Sequence, residues 1–232
     1  MDKHRKTAII VGILYILGTV AGVLSVVVTR PVLSAPDYLS EIAAKEASML
    51  VGSLLVLMMG LVLALIPVLL YPILKRYDEI LALAYVVFRG ALEMTCYIAM
   101  TIDWLFLILV SQEAAVAGAD GLPALQSFGA IFMKGSDSIA NVLVIIFSLD
   151  ALMLYTMLYR SQLIPRWISV WGFIAILMHF STAFLLMFDV INMNTATMIN
   201  LPIFLQEMVM AVWLIVKGFN PAALASGTAK TA

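Results

Sequence analysis

Apolar residues run along this chain in six long blocks, at 8–29, 48–74, 80–110, 138–159, 167–188 and 197–216. A helix of about 20 apolar residues crosses the hydrocarbon of a bilayer, and every block reaches that length. The blocks are continuous rather than alternating, so the strands of about 10 residues that a membrane barrel needs are not in the pattern. In lipid each backbone polar group must be satisfied within its own segment, which leaves helices. The pattern predicts an all-α, polytopic integral membrane bundle of six transmembrane helices, built as one domain from residues 1–218. The third block is longer than one crossing requires and is expected to tilt or extend beyond the membrane. The small and polar residues at 219–232 predict a disordered cytoplasmic tail.

The connections refine this picture. Lys75–Glu79 and Arg160–Arg166 are short, so the helices they join are expected to be antiparallel neighbours. Asp37–Met49 follows Ser34-Ala35-Pro36 and carries Leu39, Ile42, Ala43 and Met49 near one helical face, which predicts an extra turn or two before the second span. Gln112–Lys134, with Gly118, Gly121 and Pro123, reads as an external loop or cap. Lys134-Gly135-Ser136-Asp137 reads as the start of the fourth span, with Ser136 as its N-cap. Lys3, Arg5 and Lys6 precede the first block as they would in a signal peptide. That block is longer than the roughly 7–15 apolar residues of a signal sequence, so it is read as a retained helix.

Six crossings place both termini on one side. With the N-terminus inside, the inner segments carry Lys3, Arg5, Lys6, Lys75, Arg76, Arg160, Arg166, Lys217 and Lys230, and the outer ones only Arg30, Lys45 and Lys134. The positive-inside bias therefore sets both termini in the cytoplasm. Trp167, Trp171 and Trp213 then fall toward the inner interface and Trp104 toward the outer one, as aromatic belts do.

Composition narrows the function. The chain is 64% hydrophobic and only 12% charged, with a formal net charge of −1. No basic surface exists to displace phosphate counterions, which excludes a nucleic-acid binder. The single cysteine, Cys96, excludes a disulfide framework and a cysteine-built metal site. The two histidines, His4 and His179, do not suffice for a histidine-rich zinc hydrolase or a bis-histidine haem site, and no GxSxG elbow is present. No cofactor and no metal site is implied. Gly18 and Gly22 form a GxxxG, a close-packing motif through which an oligomer is conceivable.

Several phrases are distinctive in combination: Tyr71-Pro72-Ile73-Leu74-Lys75-Arg76-Tyr77-Asp78-Glu79, Phe88-Arg89-Gly90-Ala91-Leu92-Glu93, and Leu163-Ile164-Pro165-Arg166-Trp167 with Trp171-Gly172. They resemble bacterial membrane proteins catalogued as domain of unknown function 4386, and the resemblance extends from Lys6 to Lys217. It implies a bacterial six-helix protein of the inner (cytoplasmic) membrane. It supplies no catalytic residue.

The chemistry must be sought in ionisable residues at membrane depth, where one charge costs about 2.5–3.5 kcal/mol on insertion scales. Arg89 and Glu93 fall near the middle of the third span, and Asp150, His179 and Glu207 near the middle of the fourth, fifth and sixth. Arg89 and Glu93 are four apart and can pair on one helix. A rotation of 3.6 residues per turn brings Cys96, Met100 and Asp103 to the same side, flanked by Tyr97 and Trp104. Three acids face one arginine. Unless His179 is protonated, the excess negative charge must be neutralised by protons or a bound cation.

Arg89, Glu93, Tyr97, Asp150, His179 and Glu207 are thus the candidate ligand- or ion-binding residues. They favour binding or transport of a small molecule, cation or proton. The alternatives are a structural or accessory membrane subunit, in which the charges only fasten helices, and an embedded acid–base enzyme, for which no specific motif speaks. The topology is directly testable. A cysteine introduced at Ala119 is expected to react with an impermeant reagent in intact cells, and labelling only after permeabilisation would reverse the orientation.

Overall fold

A computed structural model describes residues 2–118 and 120–229, and every element among them is helical. Six helical stretches are long and apolar enough to cross a membrane. In chain order the elements are α1 (Lys3–Leu33), α2 (Tyr38–Ala44), α3 (Glu46–Leu74), α4 (Glu79–Val87), a π-helical turn (Phe88–Glu93), α5 (Met94–Val116), α6 (Leu122–Ser161), α7 (Arg166–Met187), α8 (Met193–Val216) and α9 (Pro221–Ala229). The third crossing joins α4, the π-turn and α5 without a break over Glu79–Val116. Large apolar side chains stand outward on the long helices, among them Val27, Leu54, Ile80 and Ile174, each more than half exposed. Contiguous apolar surface of this kind is stable against lipid and not against water.

Local chemistry sets several boundaries. Asp78 and Asn192 each cap a helix by accepting a hydrogen bond from the backbone N–H three residues on, at 3.0 Å. Such caps satisfy donors that the first turn leaves orphaned. Asp37 does the same for α2 at 3.4 Å. Pro67 and Pro72 lie inside α3 and Pro202 inside α8 without ending either helix.

Two expectations need correction. The segment 112–134 is mostly helix: α5 continues to Val116 and α6 begins at Leu122. Gly118 and Gly121 occupy the short connection, within which Ala119 lies outside the described residues, and Pro123 sits in the first turn, where its missing N–H costs nothing. Ser136 is consequently not an N-cap but a mid-helix residue, whose hydroxyl donates to the Asp103 carboxylate. Helix α9 starts with Pro221 after Asn220, whose side chain accepts from the Ala222 N–H at 3.1 Å, and Phe219 and Ala223 are buried. Residues 230–232 lie outside the described residues.

The chain divides into two compact units. One comprises residues up to Leu17, Val62–Met94 and those from Asn141 onward, and the other Gly18–Leu61 with Thr95–Ala140. Within the second unit, the Ser25 hydroxyl donates to the Gly52 carbonyl at 3.2 Å and that of Thr101 to the Ser53 carbonyl at 3.4 Å. The rings of Phe106 and Phe132 stack at 5.7 Å. A Cβ on Gly22 would fall 2.6 Å from the Met59 sulfur, so this half of the GxxxG is already used inside the chain.

The first unit is tied at its ends and through its core. Arg5 donates to the carbonyls of Leu214, Ile215 and Val216 at 3.0, 2.5 and 3.1 Å, placing a cation on the negative end of α8. Inside, the Tyr155 hydroxyl donates to Gln206 Oε1 at 2.7 Å, and Gln206 Nε2 donates to the Ile168 carbonyl at 3.1 Å. This chain of bonds links α6, α8 and α7 through groups that are 0–1% exposed. Gly172 permits it, because a Cβ there would meet the Tyr155 ring at 2.7 Å. Gly172→Ala is therefore expected to lower stability by about 1–3 kcal/mol through overpacking. Gly118→Ala, where a Cβ meets nothing within 4 Å, should change little. Thermal unfolding of both variants in one detergent checks this.

Candidate functional site

The first unit collects three of the expected acidic residues around one guanidinium. Arg89 belongs to the π-turn, and its Nη1 lies 3.4 Å from Glu93 Oε2 on the same turn. The same nitrogen lies 3.3 Å from Asp150 Oδ1 of α6. Its Nη2 lies 3.9 Å from Glu207 Oε1 of α8. Arg89, Glu93 and Asp150 are 2, 1 and 0% exposed, whereas Glu207 retains 17%. The four groups come from three separate crossings, so the cluster joins helices as well as charges.

The π-turn is what makes the arrangement local. A π-turn closes its hydrogen bonds over five residues rather than four, and such turns recur at functional sites. Gly90 lies beside Arg89, and a Cβ there would find the Ala64 carbonyl and the Pro67 ring at 3.7 Å, an ordinary contact. The widened turn thus packs against the end of α3 without crowding.

Aromatic rings complete the cradle, and the hydropathy pattern does not announce them. The Arg89 guanidinium carbon stands 5.5 Å from the centre of the Tyr15 ring and 5.2 Å from that of Phe147. A guanidinium over an aromatic face is held by the ring quadrupole, and more strongly where water is excluded. Tyr15 and Tyr85 are fully buried in the same unit. Two sequence signals point to such rings: Phe147 is one turn before Asp150, and Tyr85 is four residues before Arg89. Gln206 is masked in sequence by its charged neighbour Glu207.

His179 stands one layer out. Its ring meets Phe147 edge to face at 5.2 Å, so the phenyl group touches both His179 and Arg89. The Nδ1 of His179 is buried and meets no hydrogen-bond partner among the described residues. One turn further along α7, the Thr182 hydroxyl donates to the His179 carbonyl at 2.7 Å and reaches Asn200 Oδ1 at 3.3 Å. Tyr97 falls in the second unit with Cys96, Asp103 and Trp104; all four are buried, and the Thr101 hydroxyl donates to the Tyr97 carbonyl at 2.8 Å.

Six helices long and apolar enough to cross a membrane define a multi-pass, all-helical membrane protein. The family model described as Domain of unknown function (DUF4386) matches residues 10–218, and the chain belongs to that family. No curated protein and no solved structure matches it.

The geometry sets a stability test. Removing one partner of a buried ion pair typically costs about 3–5 kcal/mol, because the other charge is left stranded. Arg89→Ala strands up to three carboxylates at once. It is expected to lower thermal stability more than Arg89→Ala combined with Glu93→Gln, or with Asp150→Asn. Equal losses in the single and double variants would show that these groups are not coupled.

Proposed function

We propose that this protein binds and releases protons, or a cation in their place, at the cluster of Arg89, Glu93, Asp150 and Glu207, and that this exchange gates the binding or passage of a small solute. The charge count carries the reading: three carboxyl groups lie within 3.9 Å of one guanidinium. Fully ionised, the set would hold two excess negative charges in a core shielded from water. Charge at such depth is retained only with compensation. A proton supplies that compensation without needing a cavity, which suits the near-complete burial of Glu93 and Asp150. Glu207, the most exposed of the four, is the natural point of exchange. In this reading the protein lies in a bacterial inner membrane, and the positive-inside bias supports both termini in the cytoplasm.

One observation favours a second reading. Arg89 bridges α6 and α8 while itself 2% exposed, as a purely structural fastening would. In that case the protein is an accessory subunit and the number of bound protons never changes.

Carboxyl infrared spectra separate the two. In the first reading wild type shows a protonated-carboxyl band near neutral pH that varies with pH and is altered in Asp150→Asn or Glu207→Gln. A band that stays constant wherever the protein remains folded supports the accessory reading. No band, together with no cation dependence of thermal stability, overturns the excess-acid argument altogether.

A further inference from the structure

A different site, sharing no residue with the charge cluster, lies in the first unit where α6 turns into α7 and α8 into α9. A cleft of about 470 Å³ opens there, and Gln162, Pro165, Arg166, Trp213, Lys217 and Asn220 are among its walls. The two turns are stitched together. The Asn220 N–H donates to the Leu163 carbonyl at 2.9 Å, and Asn220 Nδ2 donates to the Gln162 carbonyl at 3.3 Å. Gly218, at φ +74°, supplies the left-handed residue that turns the chain out of α8.

Two cations in this cleft are not neutralised. Arg166 stacks its guanidinium over the Tyr159 ring at 5.2 Å. In the amide orientation that satisfies both groups, its Nη2 and Nε donate to the Gln162 carboxamide oxygen at 2.5 and 3.2 Å. Both contacts orient the guanidinium and neither cancels its charge. Among the described residues neither Arg166 nor Lys217 is in an ion pair. Oriented, uncompensated cations recognise phosphate or carboxylate oxygens.

The cleft continues into an apolar groove. About 430 Å³ of space lies along α8 against Leu205, Met208, Val209 and Val212, and its lower wall is the same Trp213 and Lys217. From Lys217 to Leu205 the helix rises about 18 Å at 1.5 Å per residue. One leaflet of the hydrocarbon is about 15 Å deep. A cationic cleft at the foot of a leaflet-long apolar groove, with a tryptophan at the junction, matches a molecule with an anionic head and an acyl tail. A free phosphate uses only the cleft.

We propose that the cleft and groove together hold one anionic phospholipid, its phosphate against Arg166 and Lys217 and an acyl chain along α8 toward Leu205. The site discriminates by charge, so it prefers anionic over zwitterionic headgroups. The lipid then ties the α6–α7 turn to α8 and α9.

The test titrates full-length protein in neutral detergent with phosphatidylglycerol or phosphatidylcholine bearing brominated acyl chains. Quenching that depends on Trp213 is taken as the difference between wild type and Trp213→Phe. Two cations should place half-quenching by the anionic lipid roughly ten-fold lower in concentration than by the zwitterionic one. Arg166→Gln with Lys217→Gln should bring the two lipids level, while Arg160→Gln, an exposed arginine at the end of α6 that is not in the cleft, should preserve the preference. Equal half-quenching by the two lipids in wild type overturns the proposal, and this comparison needs no variant to fold. So does a preference retained in the double variant, or quenching undiminished in Trp213→Phe. Displacement of the brominated anionic lipid by inorganic phosphate at matching concentration would make this a phosphate site and not a lipid site.

Discussion

The first unit depends on one guanidinium. Among the described residues Arg89 is the one arginine or lysine near the middle of a span, and it faces Glu93, Asp150 and Glu207 from three crossings, with Tyr15 and Phe147 against its faces. Placing such a charge in hydrocarbon is costly, and the cost falls only if acidic groups arrive with it. The same contacts that make Arg89 tolerable therefore fix which faces of α6 and α8 turn inward. Lysine would not serve equally. A planar guanidinium offers several donors in fixed directions and two faces for rings, whereas an ammonium is a single strongly hydrated point.

Much of this is legible in the sequence because lipid imposes a coarse rule. Blocks of about 20 apolar residues have few structural solutions, so the six crossings and the helical class can be read from hydropathy alone. Arg89 and Glu93 stand out for the same reason, as charges inside an apolar block at a helical spacing. Asp150 and Glu207 are legible by depth, and their convergence on Arg89 is the result of three charges seeking one partner. His179 is also legible by depth, but nothing in sequence shows that Phe147 stands between it and Arg89.

The features hidden from sequence have physical causes. A π-turn leaves no reliable mark in sequence, and its extra residue rotates the rest of the span by about 100° relative to a regular helix. A polar stripe from Arg89 through Cys96 and Met100 requires 3.6 residues per turn throughout. Of the residues expected along that stripe, Cys96 and Asp103 with the flanking Tyr97 and Trp104 are buried in the second unit, together with Thr101, and Met100 is only half-buried. The segment 112–134 reads as a loop because Gly118, Gly121 and Pro123 look like breakers, yet the helix that follows also accommodates Gly129 and Gly135. In α6 they serve as close-approach points: a Cβ on Gly129 would fall 2.8 Å from the Tyr38 hydroxyl, and one on Gly135 3.1 Å from Asp103 Oδ1. Packing against a neighbour offsets the cost of about 1 kcal/mol that glycine carries in a helix. The aromatic cradle is marked in sequence only by its helical spacing to Asp150 and Arg89, because tyrosine and phenylalanine are unremarkable in an apolar span.

A structural fastening and a proton site are built from the same parts, and the difference between them is stoichiometric. One acid per arginine makes a closed pair with nothing left to exchange. Asp150 already lies as close to Nη1 as Glu93 does, at 3.3 against 3.4 Å, so the pair is complete before Glu207 is counted. Glu207 is the loosest contact at 3.9 Å and the least buried of the four. An extra acid that adds little to the fastening would be a liability if ionised next to two others, because like charges at this spacing repel most strongly where solvent cannot screen them. Taking up a proton removes that liability and giving it up restores it. In the proposed reading, the proton occupancy of Glu207 is therefore the variable to which the rest of the cluster, locked by Arg89, responds.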